Sequence, residues 1–191
     1  MFIQTEATPN PDTLKFLPGM PVLNEGTLEY ATPEATEASP LAARLFVVQG
    51  VDRVFLGADF VSVTKTPDSD WKHVKTMALA AIMDHFMSGM PVVHDGVAAA
   101  PAEESEIVYE GDAAEIVEEI KELIETRVRP AVAQDGGDIQ FDRFDPETGL
   151  VTLHMRGACA GCPSSTMTLK QGIENMLRHY VPEVTAVEAA L

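Results

Sequence analysis

The chain has 191 residues, 46% of them apolar, which is enough for one large core or two small ones and sets wholesale disorder aside. Thirteen Lys and Arg stand against thirty Asp and Glu, a formal charge of −17, so there is little positive charge to cluster on phosphates, and nucleic acid and anionic membrane are excluded as expected partners. No apolar run approaches the roughly 20 residues that span a bilayer, and Met1-Phe2-Ile3-Gln4-Thr5-Glu6 lacks the basic and apolar regions of a signal peptide, so a cytosolic location is expected.

Charge and composition divide the chain into three stretches. Residues 1–90 carry a net charge of −5. Strands are predicted near 2–7 and 13–17, separated by Pro9-Asn10-Pro11-Asp12. A short helix follows Pro40 over Leu41–Val48. Val51–Leu56 and Phe60–Thr64 alternate around Gly57-Ala58-Asp59, a hairpin signal. Asp68-Ser69-Asp70 then caps a helix with Trp71, Val74, Ala78, Ala81, Ile82 and Phe86 on its buried face. Residues 91–112 hold six acidic side chains and no basic one, with prolines, glycines and alanines between them, and read as a self-repelling, flexible linker.

Residues 113–191 are the most legible. Ala113, Ile116, Val117, Ile120, Leu123, Ile124 and Val128 follow a 3.6-residue period, with five glutamates on the opposite side. Asp112 is the expected N-cap, and Pro130 is expected to limit the helix. Asp135-Gly136-Gly137-Asp138 marks a turn, strands follow over 138–145 and 149–156, and Glu147-Thr148-Gly149 joins them. A second helix follows Pro163, with Leu169, Ile173, Met176, Leu177 and Tyr180 on one face; it ends by Pro182, and a short strand covers Val184–Val187. The order is α-β-β-α-β. The fold class is α+β: two small domains, 1–90 and 113–191, joined by the acidic linker 91–112.

Chemistry concentrates in one place. The chain has two cysteines, Cys159 and Cys162, held between a strand and a helix start among Gly157, Ala158, Ala160 and Gly161. One pair three residues apart staples nothing, so a disulfide framework is excluded. At this spacing two thiols point the same way and can bridge a single metal or cluster. Backbone N–H groups near sulfur and the following helix N-terminus favour thiolate, so thiol pKa values below about 8.5 and a poorly buried loop are expected. Three readings stand: a redox-active dithiol, a zinc-bridged structural dimer, and an iron–sulfur centre. The thioredoxin-like reading needs a βαβ core that is missing around this motif. The metal readings need about four ligands where one chain brings two, which a two-fold dimer supplies. A centre shared at such a seam is passed on more easily than one enclosed by a single chain.

The run Gly157-Ala158-Cys159-Ala160-Gly161-Cys162-Pro163-Ser164-Ser165, with Asp135-Gly136-Gly137-Asp138 upstream, resembles the C-terminal domain of the NifU and Nfu family. The opening Gln4-Thr5-Glu6-Ala7-Thr8-Pro9-Asn10-Pro11, with Leu14-Lys15-Phe16, is similar to the family's N-terminal domain in its mitochondrial and alphaproteobacterial type. The resemblance implies a carrier without enzymatic activity that binds a [4Fe–4S] cluster through Cys159 and Cys162 of each of two subunits, with a [2Fe–2S] form as a precursor. It implies the cluster-assembly machinery as donor, apo iron–sulfur proteins as clients, and a homodimer when loaded. The N-terminal domain has no cysteine and is expected to be a recognition module. Bacterial cytoplasm is the expected compartment, or the mitochondrial matrix if a leader was removed.

Other residues are weighed and set lower. By alternation His154 is a half-exposed strand residue rather than a third ligand. Asp135 and Asp138 flank two glycines and read as turn residues rather than as an acid–base pair. Arg156 either offsets cluster charge or lies on an ordinary surface. Met77, Met83, Met87 and Met90 read as core filling before an adaptable client surface.

Overall fold

The computed structural model describes residues 2–94, 107–160 and 163–190. Cys162 and most of the acidic linker lie outside the described residues. The first five strands are β1 (Gln4–Ala7), β2 (Thr13–Leu17), β3 (Leu28–Tyr30), β4 (Val51–Leu56) and β5 (Val61–Lys65), and they form one antiparallel sheet in the order β1-β2-β5-β4-β3. Helices α1 (Pro40–Phe46) and α2 (Trp71–Ser88) cover one face of it. The alternation read from the sequence decides which side chains meet them: Phe16, Val54, Leu56, Val61 and Val63 pack with Leu41, Leu45, Ala78 and Ile82. Both helices start on caps. Ser39 accepts from the Ala42 N–H at 3.1 Å with Pro40 in the first turn, and Asp70 accepts from the Lys72 N–H at 2.9 Å. Gly89 closes α2 in the left-handed conformation, φ +70°.

Three features of this unit differ from expectation. β3 and the short 3₁₀ segment Pro33–Ala38 have no periodic signal, because a three-residue strand shows no alternation and is held by pairing with Val54–Leu56. The methionines are not core filling. Met77, Met83, Met87 and Met90 are 46, 37, 73 and 45% exposed. The stripe of α2 that faces the sheet is taken by Val74, Ala78, Ile82 and His85, and the methionines fall beside it.

The second core belongs to α3 (Asp112–Leu123), α4 (Arg129–Gln134), the hairpin β6 (Gly137–Asp145) and β7 (Leu150–Gly157), α5 (Pro163–Tyr180) and β8 (Ala186–Ala189). The sheet order is β6-β7-β8, antiparallel then parallel, and α5 supplies the crossover that a parallel pair requires. Val117, Ile120, Ile139, Leu153, Ile173, Leu177 and Val187 fill the space between helices and sheet. The last strand begins two residues later than predicted.

Two corrections concern the first helix here. Gly111, not Asp112, occupies the N-cap with φ +59°; Asp112 is the first helical residue, where its charge still meets the positive helix end. Pro130 does not end the helical path. One π-helical segment, Ile124–Val128, intervenes, and the Arg129 N–H donates to the carbonyl of Ile124 rather than to the residue four back. That widened turn re-phases the backbone ahead of the proline ring, which sits within the first two positions of α4.

Candidate functional site

β7 ends at Gly157, whose φ of +62° turns the chain away from the sheet into Ala158-Cys159-Ala160. Backbone bonds fix this corner. The N–H of Ala158 donates to the Gly136 carbonyl at 3.2 Å, and that of Ala160 to the Gly157 carbonyl at 3.1 Å. From the first turn of α5 the Thr166 hydroxyl donates to the Cys159 carbonyl at 3.1 Å, so the loop is tied at both ends. Gly137, on the partner strand, leaves the room that the thiol occupies: a Cβ there would stand 2.5 Å from Cys159 Sγ and 2.8 Å from the Arg156 carbonyl oxygen.

Cys159 is therefore placed at the predicted strand-to-helix corner, but its surroundings differ from expectation. It is 5% exposed and belongs to the second core. Its thiol is pushed up to about 12, first by burial and then by the carboxylates of Asp135, Asp138 and Glu29. The nearby helix start and small residues do not outweigh that desolvation. The pair's other member, Cys162, lies outside the described residues, so its distance from Cys159 is no part of this geometry.

The cover comes from the amino-terminal sheet. Its second face, the one turned away from α1 and α2, lies on the cysteine corner. Ser62 donates to the Gly136 carbonyl at 2.7 Å, and Asn10 Nδ2 to the Ala160 carbonyl at 3.2 Å. The Gly157 N–H donates to Glu29 Oε1 at 2.9 Å, and Thr27 Oγ1 to Asp138 Oδ2 at 2.8 Å. Lys15 Nζ donates to the carbonyls of Ala133 and Gln134, both at 3.0 Å, at the carboxyl end of α4. Phe55 and Phe60 are buried on this side, with Lys15 Nζ 4.7 Å above the Phe60 ring.

None of these contacts follows from helical or strand period. One signal was available: Val54, Phe55 and Leu56 are apolar in succession, which is the mark of a strand covered on both faces.

The remaining residues weighed earlier sort plainly. His154 is partly exposed on β7, with Nε2 3.6 Å from Asp142 Oδ1. Asp138 is more than a turn residue: it is buried and bound by Arg129, Nε to Oδ1 at 2.8 Å and Nη2 to Oδ2 at 3.0 Å. That bond raises the guanidinium pKa further above its ordinary value. Among the described residues no three His, Cys, Asp or Glu side chains stand close enough to hold a metal ion. A chain with one placed thiol and one more three residues on fits a centre whose other ligands come from elsewhere.

Comparison with known proteins follows the same division. Residues 3–89 match the family model described as scaffold protein Nfu/NifU N terminal, and residues 120–188 match that of the NifU-like domain. NifU-like protein 4, mitochondrial, of Arabidopsis thaliana is 53% identical over 188 residues, covering 98% of this chain and 65% of that protein. NifU-like protein 5, mitochondrial, of the same plant is 51% identical over 188 residues, covering 98% and 67%. The NFU1 iron-sulfur cluster scaffold homolog, mitochondrial, of Drosophila erecta is 51% identical over 189 residues, covering 98% and 64%. The chain thus spans about two thirds of the length of these relatives. A solution NMR structure of a NifU-like protein from Saccharomyces cerevisiae is 22% identical, covers 50% of this chain and 86% of that one, and superposes with a TM-score of 0.46.

Proposed function

Because the chain belongs to the Nfu/NifU family of scaffold proteins, we propose that it carries iron–sulfur clusters from an assembly machinery to apo iron–sulfur proteins. Its cargo is a [4Fe–4S] cluster held by Cys159 and Cys162 of two copies, with a [2Fe–2S] cluster as precursor. One observation carries the reading: Cys159 sits at the corner between β7 and α5, within the stretch that matches the NifU-like domain. Two thiolates per chain are half of what a cubane takes, so a second copy completes the set. In this reading residues 1–90 recognise donors or clients, 91–112 connect, and 113–191 hold the cargo.

No bond-making catalysis on a small molecule is part of the proposal. The parallel pair β7 and β8 with α5 between them is a βαβ unit around the cysteine corner, contrary to the expectation that none surrounds it, and the reconstitution described below separates a thiol–disulfide oxidoreductase from the carrier. The three relatives named above are mitochondrial, which supports the matrix of the two expected compartments and lends none to the bacterial cytoplasm. No helix among the described residues is long and apolar enough to cross a membrane.

The test is anaerobic reconstitution of the full chain with iron and sulfide. Broad absorbance near about 400 nm, about two irons per chain and a dimeric mass support the carrier. A colourless protein that reduces disulfides, or a tight zinc dimer that takes up no iron, would overturn it.

A further inference from the structure

The amino-terminal sheet and the cysteine corner each have a complete core without the other. The two apolar clusters share no residue, and Lys15, Phe55, Phe60 and Ser62, which make the contact, belong to neither. What joins the faces is a set of side-chain hydrogen bonds, mostly to backbone groups, and the cover of two aromatic rings. Contact of that kind resembles a transient interface between proteins, so separation leaves both folds standing. Its position is what matters. Asn10 bonds Ala160, Glu29 bonds Gly157, and Ser62 bonds Gly136, so three bonds surround the one described thiol from the side where the loop would otherwise be open.

We propose that the amino-terminal unit is a lid on the cysteine corner: docked, it takes the surface a second copy must reach, and cargo enters only the undocked chain. The part concerning cargo rests on the carrier reading above; the part concerning access to Cys159 stands on these contacts alone. A recognition role for the unit then acquires a physical form. A donor or client that binds the face carrying Lys15, Phe55 and Ser62 uncovers Cys159 by the same act, because one surface cannot serve both contacts.

The test separates the two parts. In full-length Cys162→Ser protein, which leaves one thiol, alkylation of Cys159 by iodoacetamide is timed with and without Ser62→Leu or Thr27→Val. Leucine is too large for the 2.7 Å approach to Gly136 and adds no charge near the thiol; valine removes the donor to Asp138 and keeps its shape. Alkylation should be about tenfold faster with Ser62→Leu and about fivefold faster with Thr27→Val, the scale set by losing one buried hydrogen bond. Emission from Trp71, the single tryptophan, confirms that the amino-terminal unit is still folded; if Ser62→Leu unfolds it, Thr27→Val decides. Equal rates in the folded variants would overturn the lid. With both cysteines present, Ser62→Leu should also load iron and dimerise faster than the unmodified chain, and faster alkylation without faster loading would overturn the lid as a gate for cargo. If neither protein loads iron, the carrier reading falls, while a difference in alkylation still supports a lid over Cys159.

Discussion

Arg129 grips Asp138 with two parallel hydrogen bonds, 2.8 and 3.0 Å long, across the eight residues between the end of the π-helical segment and the start of β6. Asp138 is buried and also accepts from the backbone N–H of Ile139 at 2.9 Å. Removing the guanidinium leaves that carboxylate charged and without its main partner, close to Cys159. Arg129→Met is expected to cost about 3 kcal/mol of unfolding free energy, as broken buried pairs do. Urea unfolding followed by far-UV circular dichroism checks this, and a change under about 0.5 kcal/mol would show that Asp138 is satisfied by its other donors.

Gly137 is the position where the thiol and the backbone come closest. An alanine Cβ there meets Cys159 Sγ, the Arg156 carbonyl and the Cys159 nitrogen at 2.5, 2.8 and 3.1 Å. Gly137→Ala is expected to displace the cysteine corner at a cost of about 1–3 kcal/mol, the usual penalty of overpacking. Iron retention after gel filtration should fall alongside stability. Full retention with an unchanged urea midpoint would mean that the corner shifts freely.

The two cysteine substitutions should differ in one respect and agree in another. Cys159→Ser puts a hydroxyl into an apolar core and should lower stability by about 1–2 kcal/mol, which a poorly buried loop, as expected from the sequence, would not show. Both Cys159→Ser and Cys162→Ser should reduce bound iron to background after reconstitution. Metal analysis paired with thermal melts reads both effects; either variant keeping its full iron would remove that residue from the ligand set.

His85 provides a pH dependence. It is fully buried on α2, and burial first, with nearby Arg44 second, holds its pKa below the ordinary 6.5. As pH falls below the ordinary value the unfolded chain takes up a proton that the folded unit resists. Stability is therefore full above that value and declines as pH falls toward the folded pKa. The Trp71-monitored unfolding midpoint should drop between about pH 7 and pH 5, and His85→Leu should flatten the drop. An equal slope in the variant would assign the acid sensitivity to other groups.

What could be read from the residues depended on whether period or distance in the chain decided the structure. Val51–Leu56, the Glu147-Thr148-Gly149 connection and the Cys159 corner were legible because alternation, turn chemistry and small residues act locally. β3 was not, since three residues carry no period. The burial of Cys159 was not either: the bonds Ser62–Gly136 and Asn10–Ala160 join residues 74 and 150 positions apart, and only assembly brings them together. The expected low thiol pKa failed for the same reason, because the helix start is encoded beside the cysteine while its cover is encoded in the first third of the chain. Most of the acidic stretch 91–112 lies outside the described residues.

The widened turn at Ile124–Val128 makes the number of residues in that segment a structural constant. Each residue of a helix advances the azimuth by about 100°, so one deletion there would swing everything downstream by nearly a third of a rotation. Val132 would leave the apolar interior, and the carbonyls that receive Lys15 would aim elsewhere. Substitutions in this span should be tolerated far better than any change of length, a distinction that a library of indels would expose at once.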